Sequence, residues 1–128
     1  LSPKPAICAK VLDWGDLEFT ESCFRAGEAD LLLMSDVVYF PMLRQKLLNT
    51  LLLLSTDSTQ VLWANCDVYP SFTPDMTAFL ELLEPFFEIT VEEERSQVGC
   101  GGPSEVPTGR CTIRSLRLVN AELAHQEL

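Results

Sequence analysis

The spacing of hydrophobic and polar positions along this chain changes several times, and each change marks an element. Ala6 to Leu12 is a short, mostly apolar run after Pro3 and Pro5, which predicts a strand. Asp16 to Ala29 is polar and mixed, a loop with room for a short helix. Asp30 to Val38 is an apolar run without alternation, the pattern of a strand covered on both faces as in a parallel sheet. Pro41 stands at a helix start, and Leu43, Leu47, Leu51 and Leu54 then recur at helical spacing with Arg44, Gln45 and Asn49 between them. Ser55 to Thr59 is a polar turn, and Gln60 to Cys66 is a further buried strand.

Thr73 and Pro74 form an N-cap and first-turn pair, with Asp75 adding favourable charge near the helix amino end. Met76, Phe79, Leu80, Leu83 and Phe87 make the apolar face of that helix, which Pro85 ends or bends. Glu88 to Glu94 alternates Ile89 and Val91 with acids, an edge-like strand half exposed to water. Val98 to Gly109 is a loop rich in Gly and Pro. Cys111 to Val119 alternates again as a final strand, and Asn120 to Leu128 is a helical or frayed tail. The predicted order is strand, strand, helix, strand, helix, strand, long loop, strand. The last two strands pair as an antiparallel hairpin on an otherwise mostly parallel α/β sheet with helices on its faces.

The composition narrows the function classes. A chain of 128 residues is at most one domain, and a hydrophobic fraction of 47% excludes a disordered one. The formal net charge of -10 argues against a surface that tracks nucleic-acid phosphates and suits a soluble protein with a neutral or lysine-bearing protein partner. The five cysteines include no CxxC pair, so no metal site is expected. Cys8 and Cys66 lie in strand-like runs, where a buried thiol behaves as a small hydrophobe; a reducing, cytoplasmic setting fits. The longest apolar run, Leu47 to Leu54, is too short to span a bilayer.

Two places carry candidate chemistry. One is Leu12-Asp13-Trp14-Gly15, an apolar run ending in acid, aromatic and glycine. The other is Asp30-Leu31-Leu32-Leu33-Met34-Ser35-Asp36-Val37-Val38-Tyr39, an apolar strand ending in a small residue, an acid and, three residues on, a tyrosine. Strands that deliver polar and aromatic groups at their carboxyl ends build the ligand crevice of an open α/β sheet. Taken singly, Trp14 reads as a core residue, while Asp36 could serve as a capping acid ahead of the Pro41 helix and Tyr39 could pack with its hydroxyl at the rim. Trp63 reads as core. Asp67 and Tyr69 could reach a substrate from the end of their strand, and Glu92 to Glu94 read as a solvated edge.

The two motifs, in that order, resemble those of the methyltransferase-like lysine methyltransferases. That family belongs to the class I, seven-strand enzymes that use S-adenosylmethionine, and the resemblance covers about residues 6 to 119. It implies that residues 1–128 are the carboxyl-terminal portion of a Rossmann-like methyltransferase domain. Carried over by position, Trp14 flanks the adenine ring with Asp13 beside it. Ser35 takes the small-residue position where backbone approaches the cofactor. Asp36 and Tyr39 line the entry for a protein lysine. Methyl transfer to an amine is an in-line displacement in which positioning dominates, an acid and a phenol can orient the amine, and no metal is required.

Two parts of the family's pattern have no counterpart in this sequence. They are the glycine-rich loop that holds the methionine end of the cofactor and the acid that grips the ribose. Gly99-Cys100-Gly101-Gly102 follows an acidic strand and runs into Pro103, so it reads as a loop tip. An amino-terminal half, on a longer chain or a separate piece, is therefore expected to complete the domain. Without it the central strand has an open edge. The alternative is a non-catalytic interaction domain derived from such an enzyme.

Overall fold

The computed structural model describes residues 6–38, 40–67, 73–98 and 107–128. Helix α1 (Leu17–Cys23), strand β1 (Leu31–Ser35), helix α2 (Pro41–Leu54), strand β2 (Gln60–Asp67), helix α3 (Thr73–Leu83), strands β3 (Phe87–Val98) and β4 (Pro107–Leu118) and helix α4 (Ala121–Glu127) follow in that order. The strands form one sheet in the order β1-β2-β4-β3. Strands β1 and β2 are parallel, with Leu33 opposite Leu62 and Ser35 opposite Ala64. β4 is inserted antiparallel between β2 and β3, so Cys66 faces Cys111 and Ile89 faces Leu116.

Local chemistry explains the element ends. Asp16 caps α1 through Oδ1, which accepts the Phe19 N–H at 3.0 Å. Pro41 stands at the first turn of α2, where its missing N–H is harmless. α3 stops at Leu83, ahead of Pro85, and the Phe86 N–H closes back on the Leu83 carbonyl at 3.0 Å. Asn120 caps α4 by accepting the Leu123 N–H at 3.2 Å.

The core lies on one side of the sheet. Val61 and Trp63 of β2 and Leu116 and Leu118 of β4 pack with Leu47, Leu48, Leu51 and Leu52 of α2 and with Phe79 and Leu83 of α3. The Trp63 and Phe79 rings meet edge to face, with centroids 5.3 Å apart. Of the stripe that the spacing of α2 predicts, Leu47 and Leu51 are core while Leu43 and Leu54 are only partly buried, and Leu48 and Leu52 complete the buried face; Trp63 is fully buried. β3 is an edge strand whose Glu92, Glu93 and Glu94 are exposed. A bulge between Val91 and Glu93 breaks its regularity, which deters further pairing.

Several expectations are corrected. Ala6 to Leu12 is not a strand; it runs exposed and without secondary structure, with Ile7 96% and Val11 74% accessible. An extended segment keeps strand form only where a neighbour satisfies its backbone, and none of the described strands lies alongside it. Its loss leaves one parallel and two antiparallel pairings, so the sheet is mixed rather than mostly parallel. β1 is shorter than the apolar run and is covered on one face only: Leu32 and Met34 pack on the core, while Leu31 is 46% and Leu33 73% exposed. Phe87 belongs to β3 rather than to the helix before it, because the turn after Leu83 has already reversed the chain. β3 and β4 reach to Val98 and from Pro107, so the loop is shorter than Val98 to Gly109; its glycine-rich tip lies outside the described residues. Cys8 is exposed, and Cys66 is disulfide-bonded to Cys111 rather than a buried free thiol.

Candidate functional site

The carboxyl ends of the two parallel strands converge on Asp36. It directly follows the last residue of β1 and adopts φ 50°, a left-handed conformation that Asp tolerates better than most residues. Its N–H donates to the Ala64 carbonyl at 3.1 Å, which extends the parallel ladder by one rung. Its Oδ1 accepts the Cys66 N–H at 3.1 Å. The carboxylate of an exposed residue is thus tied to the end of the neighbouring strand. A non-glycine residue held at positive φ by one backbone and one side-chain hydrogen bond is the kind of local strain that collects at functional sites.

The segment after Asp36 is also pinned. Val38 is fully buried, and its carbonyl accepts the Arg44 Nε–H at 3.1 Å. Arg44 then pairs with Asp75 through Nη2, so one largely buried guanidinium holds this loop, α2 and α3 together. Ser35 ends β1 with its short side chain on the uncovered face. It lines a shallow apolar depression of about 340 Å³ with Leu33, Met34, Leu62, Ala64 and Ile113. Tyr39 and Tyr69 lie outside the described residues, as does the side chain of Asp67.

Asp13 and Trp14 sit in a separate place. Asp13 to Asp16 is a tight turn in which the Asp16 N–H returns to the Asp13 carbonyl at 3.1 Å. Gly15, the third residue of that turn, has φ +87°, and its N–H donates to Thr50 Oγ1 of α2 at 3.1 Å. A Cβ there would lie 2.8 Å from Lys46 Cγ, so both the turn and the close approach to α2 call for glycine. Trp14 is half-buried against the core and Asp13 is exposed. The structure therefore brings Ser35 and Asp36 together at the strand ends, and it holds Asp13 and Trp14 on α2. Neither of the latter lines the depression beside Ser35.

On the covered side of the same strand ends lies a polar group that sequence reasoning missed. The Arg114 guanidinium stacks on Trp63, 5.1 Å from its ring, and Nη1 points at Met76 Sδ, 3.7 Å away. Burial lowers the Arg114 pKa from its ordinary value, and the charge of Glu94 opposes that shift. Asn65, 1% exposed, donates to the same sulfur at 3.1 Å, and its Oδ1 has no partner among the described residues. The signal was present: Arg114 shares the parity of Leu116 and Leu118 and so belongs to the covered face of β4. Among the described residues no group of His, Cys, Asp or Glu is placed to hold a metal ion, and no helix is long and apolar enough to cross a membrane.

The segment that contains Trp14 and Asp36 also carries a family relationship. A family model described as lysine methyltransferase matches residues 2–84. No curated protein matches the chain.

Proposed function

The chain belongs to the lysine methyltransferase family, and from that premise we propose that it transfers a methyl group from S-adenosylmethionine to a lysine of a protein substrate. The observation that carries this reading is Asp36, in the matched segment and at the carboxyl end of a parallel strand, with its backbone and carboxylate both anchored on β2. S-adenosylmethionine, when bound, supplies the electrophilic methyl carbon.

The residues present fit one end of that cofactor. Trp14 is partly accessible and the adjacent Asp13 is exposed, residue types suited to an adenine face and its exocyclic amine. Ser35 adds little bulk where the cofactor backbone would pass. No candidate for the ribose or for the methionine carboxylate was found among the described residues. Asp36, with Tyr39 as its partner in the motif, would accept hydrogen bonds from the incoming amine and offset the positive charge that grows on nitrogen as the bond to carbon forms. Its anchoring to Cys66 lowers the cost of holding that orientation.

The rest of the cofactor site belongs, in this proposal, to an amino-terminal half of the domain, on the same chain or on a separate piece. The exposed Leu31 and Leu33 on the uncovered face of β1, and, among the described residues, the open edge of that strand and the apolar run through Ile7 and Val11 without a strand partner, support it. Together they leave apolar surface and strand edge that a folded domain normally covers.

The test is incubation of the full-length protein with isotope-labelled S-adenosylmethionine and a cell extract as a source of protein substrates. Label is expected on lysine, and Asp36→Ala is expected to reduce transfer by about 10²–10³-fold. Transfer unchanged by Asp36→Ala would remove Asp36 from the chemistry. Failure of the full-length protein to bind the cofactor in calorimetry would favour a non-catalytic interaction domain.

A further inference from the structure

Cys66 and Cys111 stand directly opposite each other on β2 and β4, 45 residues apart in sequence, and their sulfurs are bonded. Among the described residues one further strand pair, Asp67 with Arg110, follows them in the ladder. Both cysteines are partly accessible. By alternation they share the uncovered face with Ala64 and Ile113, next to the depression beside Ser35. The backbone N–H of the same Cys66 donates to the Asp36 carboxylate.

We propose that Cys66 and Cys111 form a redox-modification site, a reversible thiol–disulfide pair that sets how firmly Asp36 is held. In the oxidised state the bond clasps β2 to β4 near the end of their pairing, where backbone ladders otherwise open most readily. The Cys66 N–H then stays in place for Asp36. Reduction removes the covalent tie, the terminal pairs open more often, and the Asp36 carboxylate loses its fixed donor.

The reductant is a small thiol such as glutathione, which the uncovered face admits. Its thiolate attacks one sulfur and forms a mixed disulfide, while the electron pair of the broken S–S bond leaves on the other sulfur, which takes a proton from water. A second thiol resolves the mixed disulfide. Two electrons and two protons are transferred in all, leaving both cysteines as thiols and the reductant as its disulfide. The proposal concerns the anchoring of Asp36 and stands whether or not lysine is the methyl acceptor.

The test uses the full chain equilibrated at a series of ratios of reduced to oxidised glutathione, with free thiols trapped by maleimide and located by peptide mass spectrometry. The expected result is one two-electron transition that protects Cys66 and Cys111 together while Cys8 and Cys23 stay reactive. In parallel, hydrogen exchange at the Cys66 amide is expected to rise by roughly tenfold on reduction. Cys111→Ser should show the fast exchange in both buffers, and Asp36→Ala should show it even when the disulfide is intact. If Cys66 and Cys111 remain fully reduced or fully oxidised across the series, or if the Cys66 amide exchanges at one rate in both states, the proposal is overturned. The titration and exchange of the unmutated chain decide this even if a variant fails to fold.

Discussion

Both faces of the sheet carry apolar side chains, and those side chains have different fates. On one face Trp63, Val61, Leu116 and Leu118 are closed off by α2 and α3. On the other, Leu33 faces solvent and Leu62, Ala64 and Ile113 border an open depression. An apolar side chain therefore contributes to this fold only where a helix returns to cover it. Both long helices, α2 and α3, return to the same side. The functional residues divide along the same line: Ser35 looks out on the open face, while Arg44 and Arg114 brace the strand ends from the covered one.

The contrast breaks or holds on a graded set of substitutions. The largest expected effect is Trp63→Ala, which empties the centre of the covered face and should cost about 3–5 kcal/mol in chemical denaturation. Trp63→Phe should cost less than Trp63→Ala, about 1–3 kcal/mol, because it keeps a ring on Phe79 and removes an indole N–H that has no partner among the described residues, but leaves a small cavity and a smaller surface for Arg114. Arg44→Ala breaks the tie between Val38, α2 and Asp75. It is expected to cost about 1–3 kcal/mol, since the pair is largely buried and one partner is left behind. Gly15→Ala places a Cβ at positive φ against Lys46 and should cost about 1–2 kcal/mol. The smallest effect is expected at Leu33→Lys, within about 0.5 kcal/mol for these 128 residues. A loss of more than about 2 kcal/mol there would mean that the open face is covered in solution, and the contrast between the faces would fail.

A second comparison sharpens the site. Asp36→Asn keeps a residue type that tolerates the left-handed conformation and an oxygen that can accept the Cys66 N–H. Its stability is expected to stay within about 0.5 kcal/mol of the parent while transfer falls. Asp36→Ala, by contrast, should lose both. Equal loss of stability in the two variants would show that the charge of Asp36, rather than its shape, holds the turn.

Much of this was legible in the residues because it depends on neighbours in sequence. Pro41 and the leucines after it predict α2, and Pro85 separates α3 from β3. The shared parity of Leu116 and Leu118, with Ile113 on the opposite parity, marks a half-covered strand. The Asp36 motif was visible as a strand ending in a small residue and an acid. What the residues could not show was which strands become neighbours. The run from Ala6 to Leu12 has the composition of a strand and no partner among the described residues. The reading of β1 as covered on both faces failed because coverage is a property of the elements around a strand.

By itself, then, the sequence determined the elements from β1 onward and their order, the central buried positions Leu47 and Leu51 of α2 and Phe79 and Leu83 of α3, and the family to which the chain belongs. Period, capping and chain stiffness act over a few residues, and motif spacing is a property of the chain. Only the tertiary structure decided that β4 slides between β2 and β3, and that Cys66 thereby meets Cys111 while its amide holds Asp36. Those contacts span 30 to 45 residues. Their register is set by which apolar faces must meet in one core, and no local pattern encodes that choice.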